Sequence, residues 1–216
     1  MSFSLFWRRL LRGLTLALLG GLLAHGAAQA EDLAPDELIK RISTEVLDII
    51  KADKAMRAGD MTRLHALVDE KILPHVNFQR MTASSVGPAW RQASPEQQKR
   101  LQEEFKTLLL RTYSGALAQV SNQTVALKPL RAAPEDKEVV VRSEIRGSGD
   151  PVQLDYRLEK TAGQGAGWKI YNINVLGVWL VENYKTQFAQ EINARGIDGL
   201  ITSLADRNKA NAAKKG

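Results

Sequence analysis

The chain has 216 residues, a formal net charge of +6 and no cysteine. The missing thiols exclude disulfides and a lipid anchor on an N-terminal cysteine, so packing alone must hold the fold. The three arginines before residue 30 account for half of the net charge. The remaining excess is mild and argues against dedicated nucleic-acid binding.

The first thirty residues predict an export signal. Arg8, Arg9 and Arg12 precede an uncharged apolar run over residues 14–24, and small residues stand at Ala28 and Ala30. A basic start, a short apolar centre and small residues at the cleavage point are typical of a secretory signal peptide. We therefore predict that residues 1–30 are removed after Ala30 and that the rest is exported as a soluble protein.

The next part of the chain is predicted to be helical. Apolar residues recur at helical spacing over residues 35–56, a second helix is predicted over 62–71, and short helical pieces over 75–92. Ser94 and Gln97 flank a Pro-Glu pair and form a capping box, which predicts a helix start. This helix should run to about residue 120, with an apolar stripe along one face.

The pattern then changes to the alternation that is typical of strands. Apolar and polar residues alternate over residues 125–129, 139–146, 152–159 and 171–175, with turn-forming connectors between them, and a last helix is predicted over 178–193. The sequence therefore predicts an α+β fold: a curved antiparallel sheet of about four strands wrapped around helices. We predict one domain over residues 31–205 and a flexible basic tail over 206–216.

Motifs for catalysis are missing from the sequence. There is no G-x-S-x-G elbow, no H-E-x-x-H pair and no phosphate-binding loop of the P-loop type. His65 and His75 are the only histidines after the signal, and they lie on either side of a predicted helix break. The acids on the strands fall on the polar face, where a solvated surface is expected. We therefore predict no catalytic residue, no metal site and no cofactor.

Residues 168–188 carry a resemblance to a known family. They read WKIYNINVLGVWLVENYKTQF, in which a V-x-G-V strand end leads into L-V-x-N-Y-x-x-Q-F. This pattern resembles the MlaC/toluene-tolerance family of periplasmic phospholipid-binding proteins. The stretches 72–81, 90–97, 105–113 and 196–200 also agree with it. The chain departs from the family at Asn77, where Asp is usual, and at Trp179, where Ser would cap the following helix.

The resemblance implies a fold similar to NTF2 and cystatin, with a deep apolar pocket between sheet and helices. It implies a monomeric carrier in the periplasm that shuttles phospholipid, as cargo, between the outer and inner membranes and maintains outer-membrane lipid asymmetry. The implied partners are an inner-membrane ABC transporter complex with its MCE-type subunit and an outer-membrane lipoprotein–porin complex. Alternatives are a hopanoid-associated carrier of the same family, an NTF2-like enzyme acting on a small hydrophobic substrate, and a structural adaptor with a solid core.

The predicted lipid-binding residues combine the apolar positions of the strands with those of the flanking helices. They are Val76, Phe78, Phe105, Leu108, Val139, Val141, Tyr156, Leu158, Tyr171, Ile173, Val175, Val178, Val181, Tyr184 and Phe188. Each of these positions taken singly could also be an ordinary core residue.

Overall fold

The computed structural model describes residues 32–161 and 163–213, and the predicted signal peptide lies outside these ranges. The helices precede the sheet, except for one that follows it. The α-helices are α1 (Pro35–Ala52), α2 (Lys54–Arg57), α3 (Met61–Leu67), α4 (Phe78–Val86), α5 (Pro95–Ala118) and α6 (Leu180–Ala213). No helix within the described ranges is long and apolar enough to cross a membrane.

The strands form one open antiparallel sheet in which each strand pairs with the next along the chain. They are β1 (Thr124–Leu127), β2 (Glu138–Arg146), β3 (Val152–Lys160), β4 (Trp168–Val175) and β5 (Val178–Trp179). The predicted α+β class is therefore confirmed, with five strands rather than about four. The fifth strand was missed because its two residues were assigned to the start of the following helix.

Local chemistry sets the helix boundaries. Ser94 and Gln97 form the predicted capping box at the start of α5. The first predicted helix instead breaks at Asp53, which adopts an extended conformation and accepts hydrogen bonds from the backbone N–H groups of Ala55 and Met56. A single helix over residues 35–56 was wrong, because this carboxylate begins a new helix where apolar periodicity alone would continue the old one.

The predicted helix over residues 62–71 divides in a similar way. After α3, residues 68–72 form a π-helical turn and residues 73–75, which include Pro74, form a 3₁₀ turn. Proline lacks the N–H that would continue the helix, so the chain turns away there. Residues 87–92 form a second 3₁₀ segment directly before α5.

The predicted last helix over residues 178–193 is followed by a second helical stretch that runs to Ala213. The two stretches, labelled together as α6, meet at Gly196, whose φ of 70° and ψ of −172° are not helical and lie in a region that glycine adopts readily. Asn208 is buried, and its side-chain amide donates to the backbone and side-chain oxygens of Glu104 on α5. The predicted flexible tail was therefore wrong for residues 206–213, because this amide fixes the helix to its neighbour.

Helices cover one face of the sheet, which we call the inner face. The main apolar cluster lies there and includes residues of α1, α4, α5, α6 and strands β2 to β4. A smaller cluster forms between α1, α2, α3 and the end of α5. The opposite face of the sheet, the outer face, carries mostly polar and charged side chains.

Candidate functional site

The inner face is built by the alternation of β2 and β3. Val139 pairs with Leu158 and Val141 pairs with Tyr156 across the two strands, and all four side chains are buried in the main cluster. Because residues two apart on a strand share a face, these pairs form a continuous apolar wall. Their intervening neighbours lie on the outer face.

A β-bulge changes the alternation on β4. Leu158 pairs with Ile170, but Arg157 pairs with Asn172, so Tyr171 is an extra residue that has no partner on β3. One inserted residue shifts the alternation by one position, so residues after the bulge lie on the opposite face from the one that the pattern before the bulge predicts. Ile170 is therefore buried before the bulge, while Ile173 and Val175 pack against the main cluster after it.

Tyr171 is consequently on the outer face, and its assignment to the inner set was wrong. Its hydroxyl donates to Glu138 at 2.9 Å, and the Arg80 guanidinium lies over its ring at 3.7 Å. Val178 was also misplaced: it belongs to β5, not to the helix, and 50% of it is exposed. Neither residue contributes to the apolar wall.

The helices complete the site with an aromatic group. The ring centroid of Phe105 on α5 lies 4.9 Å from that of Tyr184 and 5.2 Å from that of Phe188, both on α6. Both ring pairs are arranged edge to face. Phe78 of α4 joins it at 5.8 Å. Such ring pairs add about 0.5–1.5 kcal/mol each beyond the area that they bury. Three helices therefore meet over the inner face through these four rings.

Two tyrosines place hydroxyl groups inside this apolar region. Burial raises the pKa of Tyr156, although hydrogen bonds with Ser43 and Ser143 act to lower it. These bonds also link α1, β2 and β3. Burial likewise raises the pKa of Tyr184, whose hydroxyl bonds with Thr112. Both phenols therefore stay neutral and serve as hydrogen-bonding groups.

Asn172 holds the corner where the sheet turns into α6. Its Oδ1 accepts a hydrogen bond from the backbone N–H of Val181 at 3.1 Å, and its Nδ2 donates to Glu182 at 2.7 Å. The acceptor that caps the helix thus comes from β4, although Trp179 precedes the helix and cannot cap it. The Trp179 ring instead lies under the Arg157 guanidinium at 4.0 Å.

Charges at this corner are paired. Arg157 donates a hydrogen bond to Glu182. Burial by itself would raise the pKa of Glu182, but the hydrogen bonds from Arg157 and Asn172 outweigh burial, so the pKa lies below its ordinary value. Arg157, Glu182 and Asn172 therefore form a connected polar group on the outer face, next to the first turn of α6.

A second polar group lies on the outer face beside α4. Arg80 donates to Glu138 at 2.7 Å and to Glu159, and the Asn77 side-chain amide donates to Glu159 at 2.6 Å. The Asn77 oxygen also caps α4 by accepting from the Arg80 N–H. This accounts for Asn at a position where the resemblance leads us to expect Asp, because a carboxylate could not donate to Glu159.

The prediction that the strand acids are solvated was wrong for Asp155. It is only 5% exposed, and Gln153 donates to its Oδ2. Its Oδ1 has no hydrogen-bond partner within the described ranges.

Burial lowers the pKa of His65 and of His75. Among the described residues no three His, Cys, Asp or Glu side chains are grouped closely enough to hold a metal ion.

Thirteen of the fifteen predicted lipid-binding residues lie in, or pack against, the main apolar cluster. The exceptions are Tyr171 and Val178. The sequence reasoning missed several buried members of the same cluster, namely Leu38, Ile39, Met81, Trp168, Ile170 and Leu180. Leu38 and Ile39 belong to the apolar stripe of α1, a signal that could have included them.

The comparisons with known proteins agree with this architecture. The sequence profile of the family described as "MlaC protein" matches residues 40–206. The chain belongs to the MlaC family. It is 29% identical to the toluene tolerance protein Ttg2D of Pseudomonas putida, over 92% of the chain and 93% of that protein. It is 24% identical to the intermembrane phospholipid transport system binding protein MlaC of Haemophilus influenzae, over 80% and 81% of the two chains.

A solved structure extends this likeness. The phospholipid-binding protein of Ralstonia solanacearum, determined in complex with a phospholipid, is 48% identical and superposes with a TM-score of 0.80. The match covers 83% of this chain and 99% of that one. This MlaC-family member therefore shares its fold with a protein whose structure was determined in complex with a phospholipid.

Proposed function

We propose that this MlaC-family chain is a periplasmic carrier that binds phospholipid and shuttles it between the outer and inner membranes, as part of maintaining outer-membrane lipid asymmetry. The observation that carries the proposal is its 48% identity, over 83% of the chain, to a phospholipid-binding protein solved with its lipid. The names of its relatives, an intermembrane phospholipid transport binding protein and a toluene tolerance protein, support the same function.

In this proposal the inner face would supply the apolar surface that such a carrier needs. Moving a two-tailed lipid through water exposes about thirty methylenes, at about 0.8 kcal/mol each, or roughly 25 kcal/mol in total. The acyl chains would lie between the β2–β3 wall and the aromatic group of α4, α5 and α6. In this proposal the chain contributes binding and shielding, and it performs no chemical step.

Polar groups inside this region would help to position the lipid. The hydroxyls of Tyr156 and Tyr184 are held by Ser43, Ser143 and Thr112, so they would limit how far the tails can extend. The headgroup, which is strongly hydrated, would remain at the surface because burying an unpaired phosphate is costly.

The partners of the carrier are also part of the proposal. Export by the signal over residues 1–30 would place the chain between the two membranes. There it would exchange lipid with an outer-membrane lipoprotein–porin complex and with an inner-membrane ABC transporter complex that contains an MCE-type subunit. The relative from Haemophilus influenzae, named as the binding protein of an intermembrane transport system, supports a role of this kind.

The test is to purify the chain from its host, extract it with organic solvent and quantify lipids by mass spectrometry. We expect close to one phospholipid per chain under conditions in which native mass spectrometry detects the same complex. Protein that is folded but free of phospholipid, and that takes up none from vesicles, would contradict the proposal. A hopanoid in the extract would support the hopanoid-associated branch of the family instead.

A further inference from the structure

A groove lies on the outer face of the sheet, on the side away from the apolar cluster. Its volume is about 450 Å³, and its lining includes Arg131, Arg142, Arg157, Pro129, Val140 and Tyr171. Arg142 and Val140 alternate on β2 with Val139 and Val141, which face the interior. Val139 also belongs to the lining of the groove, although its side chain is buried in the main cluster, so β2 is the boundary between this groove and the region proposed to hold the lipid tails.

The groove contains guanidinium groups that the protein itself leaves unpaired. Its one carboxylate, Glu138, already bonds to Arg80 and Tyr171, and Arg157 is held by Glu182. The side chains of Arg131 and Arg142 have no ion pair or hydrogen bond within residues 32–161 and 163–213. Two arginines thus face the groove with their donors available.

Apolar side chains also line the groove. Val140 is 38% exposed, and it lies beside Pro129 and the Tyr171 ring. Arginine guanidinium groups beside apolar residues and a tyrosine are typical of protein–protein interfaces, in which Arg and Tyr are enriched and Lys is depleted. A guanidinium matches a carboxylate with two parallel hydrogen bonds, so the complementary partner is negatively charged.

We propose that this groove docks an acidic segment of a partner protein, in which carboxylates reach Arg131 and Arg142 while an apolar side chain rests on Val140. This inference rests on the proposed carrier function, since it supplies the contact by which the carrier meets a complex that gives or receives lipid. The bound lipid cannot be the occupant, because the sheet lies between its tails and the groove. A flat membrane surface fits poorly into a groove.

The experiment measures binding of the lipid-loaded chain to each of the two purified complexes and to vesicles containing phosphatidylglycerol. The test variants are the double variant Arg131→Ala, Arg142→Ala and the single variant Val140→Glu, which places a negative charge in the groove. The matched control is Arg41→Ala with Arg100→Ala, which removes the same charge from exposed positions on α1 and α5. Lipid content and melting temperature are measured on every sample.

We expect both test variants to bind at least one complex about tenfold or more weakly, while the control binds as wild type does. Equal binding by wild type and both test variants, an equal loss in the control, or no binding of wild type to either complex would overturn the inference. A loss confined to vesicles would overturn it in favour of a membrane contact. Lipid content separates the two proposals: a loaded chain with unaltered docking refutes only the groove, and a lipid-free chain refutes the carrier.

Discussion

Replacing Asn172 with alanine should destabilise the fold through the first turn of α6. Asn172 is 1% exposed, and alanine leaves the buried N–H of Val181 without an acceptor, which costs about 1–3 kcal/mol. The hydrogen bond to Glu182 is also lost, but Glu182 is half exposed and keeps Arg157, so this adds less. We expect a total near 3 kcal/mol, which lowers the melting temperature by about 6–12 °C for a domain of this size.

Thermal unfolding followed by circular dichroism measures this effect. Asn183→Ala is the matched control, because Asn183 is exposed on the same helix, and it should melt within about 2 °C of wild type. Asn172→Asp separates the two contacts, because it keeps the acceptor for Val181 but places a carboxylate beside Glu182.

The repulsion in Asn172→Asp raises the folded-state pKa of that pair of carboxylates, so the folded state is favoured when the pair holds a proton and disfavoured as pH rises. Its deficit relative to wild type should therefore shrink between pH 7 and pH 4. If Asn172→Ala melts like wild type, the capping of α6 from β4 has no energetic weight and the reasoning fails.

Further outcomes follow from the inner face, the β4–β5 turn and the histidines. The variants Val141→Trp and Ile173→Trp should lose bound phospholipid but keep most of the wild-type melting temperature. If both variants are instead destabilised by roughly 1–3 kcal/mol, as is typical of overpacking, these sites belong to a solid core. Leu176 has a φ of 51° and is 65% exposed, so its backbone conformation is strained while its side chain makes little contact. Asparagine adopts this conformation more readily, so Leu176→Asn should raise the free energy of unfolding in chemical denaturation by about 1 kcal/mol, while Leu176→Ala should gain little. Equal effects of the two variants would refute backbone strain as the cause. Burial lowers the folded-state pKa of His65 and His75 below 6.5. Their contribution to stability is therefore fully present above pH 6.5 and declines as pH falls from there. The double variant His65→Gln, His75→Gln should flatten this decline, and an unchanged pH profile would contradict the reasoning.

The sequence predicted much of the fold because the signals involved are local. The capping box at Ser94 and Gln97 lies within four consecutive residues, and the alternation on β2 and β3 is visible in each strand alone. Both depend on short-range geometry, so they remain correct in the folded chain. The family resemblance, carried by residues 168–188, agreed with the comparisons along most of the chain.

The residues whose placement was wrong depend on partners that are distant in sequence. Tyr171 reads as one more apolar strand position, yet the bulge opposite Arg157 turns it outward, towards Glu138. Asp155 reads as a surface acid, yet it is buried on the outer face. Neither result can be derived from a single strand, because pairing register is decided between strands.

The sequence by itself determined the fold class, the strong helix start and most of the apolar wall, because burial of alternating or periodic apolar residues allows few other arrangements. Only the tertiary structure decided how the elements join. The cap of α6 comes from Asn172 on a different element, the C-terminal helix is fixed by Asn208 on Glu104, and Arg131, Arg142 and Arg157 line one groove. A hydrogen bond or a groove depends on distances between atoms that the chain brings together only after it has folded, and so periodicity cannot encode them.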